Sequence, residues 1–195
     1  QRILGLDVGS YSIKASLITY NYKNFELSRF YEKRYPDSPG ENASDGSPVQ
    51  QTLRQLFSSY TIEPDQTIVA VAGTKVSIKQ ITLPFKEKKK IDQTIGIELE
   101  NYIPFAIDDV VFDYQILYHT AEGSSLLVGV IKKDILADAL SNLQSVGVDP
   151  KNVEIDSLNL ANLIPLTGLV DEECYAMIDA GHLKTNICFF HPLIF

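Results

Sequence analysis

The sequence predicts an α/β fold of two lobes, and three observations predict it. Two distant segments repeat one unit of strand, acid, glycine turn and strand. Apolar residues alternate along several further segments, and between these lie stretches with apolar residues at helical spacing.

The first unit opens the chain. Ile3, Leu4 and Leu6, followed by Ile13, Ala15 and Leu17, read as two half-buried strands, with Gly9 and Ser10 at the reversal where glycine permits a tight turn. Two readings fit this segment taken alone. In one, consecutive amides of the turn face an anion, Ser10 donates a further hydrogen bond, Lys14 adds positive charge and Asp7 holds a hydrated Mg²⁺. In the other, it is an ordinary hairpin whose Asp7 accepts turn hydrogen bonds. The second unit favours the first reading. Ile178, Asp179, Ala180 and Gly181 lead through His182, Leu183 and Lys184 to Thr185 and the apolar residues Ile187 to Phe190. Two such hairpins are what a two-lobed nucleotide cleft requires, with Asp7 and Asp179 facing a shared metal ion.

Between the two units the elements follow in order. A third strand is expected over residues 25–35, with Phe25, Leu27 and Phe30 pointing inward. Residues 36–48 form a polar Pro/Gly/Ser loop. Ser47 as N-cap and Pro48 in the first turn open a helix to about residue 60, whose Val49, Leu53, Leu56 and Phe57 share one face. Residues 68–72 read as a strand buried on both faces. Residues 77–153 then form a small module of strand, helix, two strands, helix and strand. Its first helix, residues 88–102, carries Ile91, Ile95, Leu99 and Tyr102, and Pro104 ends it. A hairpin turns around Glu122, Gly123 and Ser124. Ile135, Leu136, Ala139, Leu140 and Leu143 face one side of the second helix, and residues 158–166 form a connecting helix.

Composition narrows the function classes. The 195 residues, 45% of them hydrophobic, suffice for a good core. Seventeen Lys and Arg against 25 Asp and Glu leave a formal charge of −8 and no broad basic face for nucleic acid. Cys174 and Cys188 are expected as buried reduced thiols, which suits the cytoplasm. No apolar run approaches the roughly 20 residues that cross a bilayer, and the amino-terminal end opens in a strand without a signal-peptide pattern. His119, His182 and His191 have no Cys or His at ligand spacing, so the expected metal is only the one that accompanies a nucleotide.

The motif Asp7-Val8-Gly9-Ser10 resembles the first phosphate motif of the actin-like superfamily, and Asp179-x-Gly181-x-x-x-Thr185 resembles its second. More particular are Ile78 to Phe85, Glu98-Leu-Glu-Asn-Tyr-Ile-Pro-Phe105 and Asp108 to Gln115. These resemble PilM, the actin-like component of type IV pilus assembly, and GspL of type II secretion. The resemblance implies an actin-like (ribonuclease H-like) first lobe over residues 1–76, an inserted FtsA/PilM-type α/β subdomain over 77–153, and a connecting helix with the start of a second lobe over 154–195. The remainder of that second lobe is then expected beyond Phe195. It implies ATP with Mg²⁺ held by Asp7, Gly9, Ser10, Lys14, Asp179, Gly181, Lys184 and Thr185, with Asp7 and Asp179 at the metal. His182, Leu183 and Lys184 stand where relatives often keep small residues, and bulk there hinders close backbone approach to a phosphate. Lys184 is expected to offset this by pairing with a phosphate oxygen.

Other charged residues carry plainer readings. Glu98 and Glu100 point to different helix faces and do not form a catalytic pair. Lys86, Lys88, Lys89 and Lys90 read as a solvated face, with contact to an acidic partner or membrane surface as the alternative. Glu154 and Asp156 straddle a strand end near the expected cleft, with helix capping by Asp156 or Ser157 the favoured role.

The resemblance implies a scaffold peripheral to the inner membrane that binds rather than turns over. Its partners would be a PilN-like or GspM-like platform protein and an assembly or secretion ATPase, with Ile103, Pro104 and Phe105 as the candidate docking corner. A sugar or acetate kinase and an FtsA-like division scaffold are the alternatives on the same fold. The kinase needs a base or clamp for its acceptor, and no such site is evident in the inserted module.

Overall fold

The structure is a computed structural model that describes residues 1–22, 24–36, 46–167 and 174–190. His191 and most of the polar loop, residues 37–45, lie outside the described residues. The chain forms two compact units, one built from Gln1–Gly73 and the residues from Ala139 on, the other from Thr74–Asp138.

In the first unit, β1 (Arg2–Val8), β2 (Ser12–Asn21) and β3 (Asn24–Arg34) form an antiparallel meander. After α1 (Pro48–Ser59), β4 (Gln66–Val71) adds in parallel to β1. The sheet order is β3-β2-β1-β4-β8, where β8 is Asn152–Ile155. Alternation puts Leu4, Leu6, Ile13, Ala15, Leu17, Tyr31 and Val69 on one buried face, against Leu53 and Leu56 of α1 and Leu143. Ser47 caps α1 as expected: its hydroxyl accepts the Gln50 amide, while the Gln50 side chain accepts the Ser47 amide.

Two strand expectations are corrected. Phe25, Leu27 and Phe30 are 57%, 58% and 55% exposed, and Tyr31 is the inward residue of β3. Tyr31 lies opposite Ala15, a β2 core residue, and a register irregularity beside Leu17 and Ile18 shifts the rest of the strand. Strand β4 is buried on alternate residues, Thr67, Val69 and Val71, rather than on both faces.

The second unit contains β5 (Ser77–Leu83), α2 (Lys88–Leu99), β6 (Val110–His119) and β7 (Ser124–Lys132), with sheet order β5-β7-β6. Ile91, Ile95 and Leu99 of α2 pack on Ile81, Leu83, Val110, Leu126, Val128 and Val130. Tyr102 lies past the helix end and is exposed, and Ile103 takes the core position instead. At the start of α2, Lys88 pairs with Asp92 at 3.2 Å and Lys90 with Glu87 at 3.1 Å, as expected of a solvated face.

The inserted module differs from its expected span. The unit boundary falls within α3 (Lys133–Gln144), and Leu143 belongs to the first core. Strand β8, expected to close the module, instead pairs in parallel with β4, with Val69 opposite Val153. Beyond it, α4 (Asp156–Asn159), a 3₁₀ turn (Leu160–Leu163) and α5 (Ile164–Thr167) occupy the expected connecting helix as three short turns. The hairpin of β9 (Tyr175–Ala180) and β10 (Thr185–Phe190) follows. No helix among the described residues is long and apolar enough to cross a membrane.

Candidate functional site

The two acid-and-glycine hairpins fold alike. Between β1 and β2, the Gly9 amide donates to the Ser12 carbonyl at 3.1 Å; between β9 and β10, the Gly181 amide donates to the Lys184 carbonyl at 2.9 Å. A Cβ at either glycine would lie 2.9 Å from the carbonyl oxygen its own amide faces, so both turns need the bare backbone. Asp7 lies opposite Lys14, and Asp179 lies opposite Asn186, whose side-chain amide donates to Asp179 Oδ2 at 3.1 Å. Counting from the acids, Ser12 matches Lys184 and Ser10 matches His182. Thr185 takes the place of Ile13, so the two hydroxyls singled out in the sequence are not equivalent.

The turns come together. The Tyr11 and His182 rings sit 5.1 Å apart, and the Arg34 guanidinium lies 5.2 Å over the other participant, Tyr11. His182 therefore spends its bulk on the facing hairpin, while Leu183 is 76% exposed. Tyr35 supports the first turn from behind, its hydroxyl donating to the Gly9 carbonyl at 2.9 Å. Burial, and then the charge of Asp7, push that phenol up to about 12.

Asp156 is the residue whose role the sequence misjudged. It does not cap α4, whose N-cap position is Ile155 without a side-chain bond. Its Oδ1 accepts the Gly73 amide at 2.7 Å, and its Oδ2 is ion-paired with the Lys184 ammonium. One side chain thus ties the end of β4 to the β9–β10 turn. Cys188, on the returning strand, donates to the Ser157 carbonyl at 3.1 Å; its thiol is pushed up by burial first, then by Asp156 and Asp179. Both cysteines are free thiols, but neither is buried as expected: Cys174 is exposed and Cys188 half-buried.

Asp7, Gly9, Ser10, Lys14, Asp179, Gly181, Lys184 and Thr185 all lie on these two hairpins, and Asp7, Ser10, Lys14, Asp179 and Thr185 are exposed. Asp7 keeps an exposed side, yet its carboxyl is held above the usual carboxylate range. Partial withdrawal from water is the main cause, Lys14 opposes it most, and Asp156 and Asp179 add to it against Lys184. Folding therefore favours the protonated form. That contribution to stability is complete below the unfolded value and is lost as pH rises through the folded one. Asp7→Asn is expected to raise the thermal midpoint at about pH 7 and leave it unchanged at about pH 3; a lower midpoint at neutral pH would refute the assignment.

The metal ion expected between Asp7 and Asp179 meets a poor fit. Both Asp156 oxygens are engaged, one by the Gly73 amide and the other by the Lys184 ammonium, and an Asp179 oxygen is taken by Asn186. Among the described residues, no group of three or more His, Cys, Asp or Glu side chains is arranged to hold a metal ion. The expected docking corner is also divided: Ile103 is a core residue of the second unit, whereas Pro104 and Phe105 are exposed, with the Lys132 ammonium 5.6 Å over the Phe105 ring.

The profile of the type IV pilus assembly protein PilM family matches residues 5–192. No curated protein matches the sequence. Among solved structures, the PilM–PilN type IV pilus biogenesis complex shares the fold with a TM-score of 0.80 at 20% identity, over 97% of this chain and 58% of that one. The cytoplasmic domain of EpsL, an inner membrane component of the type II secretion system of Vibrio cholerae, gives 0.55 at 17% identity, over 81% of this chain and 58% of that one. A Bacteroides thetaiotaomicron protein with an actin-like ATPase fold gives 0.52 at 12% identity, over 98% of this chain and 66% of that one. The chain thus spans less than two thirds of the PilM and EpsL chains it resembles. The five-stranded sheet, the inserted unit and the second hairpin are parts of an actin-like fold, and with the profile matched over nearly the whole length, the chain belongs to the type IV pilus assembly protein PilM family.

Proposed function

We propose that this chain is the nucleotide-cleft portion of a PilM-like scaffold in the inner-membrane platform of a type IV pilus machine, binding ATP between its two hairpins without turnover. The observation that carries this reading is the pair of matching glycine turns joined through Tyr11 and His182, with Lys14 and Lys184 beside them. Lys14, exposed on β2, is positioned to meet a phosphate oxygen as a point charge. The bound nucleotide holds the two hairpins together, and a partner reads their arrangement.

The PilM–PilN complex supports a PilN-like partner, for which exposed Pro104 and Phe105 supply an apolar contact on the second unit. The EpsL structure, named as a cytoplasmic domain of an inner membrane component, supports a cytoplasmic position at that membrane. Its lower TM-score, 0.55 against 0.80, favours the pilus branch over the secretion branch with a GspM-like partner. An assembly or secretion ATPase would be a further partner of the assembled platform. The second unit, closed around its own apolar core, supports a binding role over phosphoryl transfer to a small acceptor.

Titration with fluorescent ATP tests the cleft. Lys14→Glu is expected to weaken binding about tenfold or more by placing a negative charge against the phosphates. Equal affinity of variant and wild type would remove the basis for the reading.

A further inference from the structure

We infer that Arg34 is a further phosphate-binding residue of the paired turns, a guanidinium without a carboxylate of its own, held on the Tyr11 ring where an anion can meet it. This rests on the reading of the two hairpins as a phosphate site. Arg34 closes β3 beside the first turn, opposite Ser12 on β2. Its neighbour Tyr35 bonds to that turn twice: the Tyr35 amide donates to the Tyr11 carbonyl at 3.1 Å, and the Tyr35 hydroxyl donates to the Gly9 carbonyl at 2.9 Å. The backbone that carries Arg34 is therefore fixed to the turn. Its guanidinium lies 5.2 Å over the Tyr11 ring, and that ring in turn meets His182 of the second turn. Arg34 thus stands beside the point where the two hairpins touch.

The other two cations of the hairpins each have a carboxylate facing them. The Lys184 ammonium is ion-paired with Asp156, and Lys14 lies opposite Asp7 in the strand register. A phosphate chain brings further negative charge to turns that already carry Asp7 and Asp179, so the site calls for a cation that no carboxylate has claimed. Arg34 meets that need. Glu32, on the same strand, accepts the Ser12 hydroxyl at 2.8 Å, and among the described residues no carboxylate is ion-paired with the Arg34 guanidinium. Arg34 and Tyr11 are both exposed, so a ligand can reach them. Stacking on a ring occupies only the flat face of a guanidinium and leaves its N–H edge free for two oxygens of one phosphate. The ring also holds the side chain in place beforehand, which lowers the entropy lost on binding.

Two probes, inorganic tripolyphosphate followed by calorimetry and fluorescent ATP, separate this role from the nucleotide reading. Arg34→Met is expected to bind both about tenfold more weakly than wild type, with an affinity that falls less steeply as NaCl is added. Arg29→Met, which removes the same charge from another exposed position on β3, is expected to stay within about twofold of wild type. Arg34→Met binding as tightly as wild type would overturn the role of Arg34 and leave the cleft. So would a loss with unchanged salt dependence, or an equal loss in Arg29→Met. Where wild type binds ATP alone, the same comparison made with ATP decides the role of Arg34. Tripolyphosphate binding that depends on Arg34, without any ATP binding, would remove the nucleotide reading and leave Arg34 as an anion-binding residue. Wild type that binds neither probe would overturn both.

Discussion

Gly123→Val is expected to unfold the second unit outright. A Cβ at position 123 would overlap the Leu83 carbonyl oxygen and lie 2.9 Å from both the Leu83 carbonyl carbon and the Pro84 Cα. All three atoms are backbone, so no side-chain rotation relieves the clash. The neighbours cannot retreat either. Leu83 is buried and pairs with Ser124, whose hydroxyl donates to the Phe85 carbonyl at 2.7 Å, while Thr120 holds the turn by accepting the Gly123 amide at 3.0 Å. Separating the strands to admit a side chain breaks this set together, a cost of about 4 kcal/mol or more. A unit of this size has only about 3–5 kcal/mol to lose. Hydrogen exchange checks it: protection of β5, β6 and β7 should vanish in the variant while β1 and β2 stay protected. Unchanged protection of β7 would contradict the packing described.

Asp156→Ala carries the second large effect, this time in the first unit. It strands the Gly73 amide and leaves the Lys184 ammonium without its partner. Losing one side of a sheltered charge-assisted pair costs up to several kcal/mol, but partial exposure lets water take up part of the loss, so about 2 kcal/mol is expected. Asp156→Asn keeps an acceptor for Gly73 and should lose less. Combining Asp156→Ala with Lys184→Met should recover part of the loss, because the unpaired charge is gone. Urea unfolding measures all three. Strict additivity of the two single changes would mean that Asp156 and Lys184 do not interact.

Much of the first unit was legible because its signals are local. Ser47 and Pro48 announce the start of α1, and Leu4, Leu6, Ile13, Ala15 and Leu17 fall on the buried face their alternation predicts. Where the reading failed, the deciding contact was distant. Phe25, Leu27 and Phe30 look inward by composition, yet the register with β2 selects Tyr31, opposite the buried Ala15. Likewise the destination of β8 depends on which sheet has an open edge, and apolar periodicity is silent about that.

The candidate site shows the same division. Asp7, Gly9, Asp179 and Gly181 were readable from an internal echo in the sequence, and the matching turn hydrogen bonds give that echo its geometry. Asp156 was visible as an acid at a strand end, but capping was the nearer explanation, and only its bonds to Gly73 and Lys184 reveal the tie across elements. The bulky His182 looked like an obstacle to a phosphate. Its ring contact with Tyr11 instead makes it part of the link between the turns. Ile103 was expected to dock a partner as part of the apolar Ile103-Pro104-Phe105 corner, yet it is buried in the core of the second unit, and only Pro104 and Phe105 stay exposed.

Hydrogen exchange with and without ATP tests most directly whether the two turns act as one binding site. Saturating ATP should slow exchange together in residues 7–14 and 179–186, with β5 to β7 unaffected. Protection of one turn alone, or of neither, would contradict a shared nucleotide cleft.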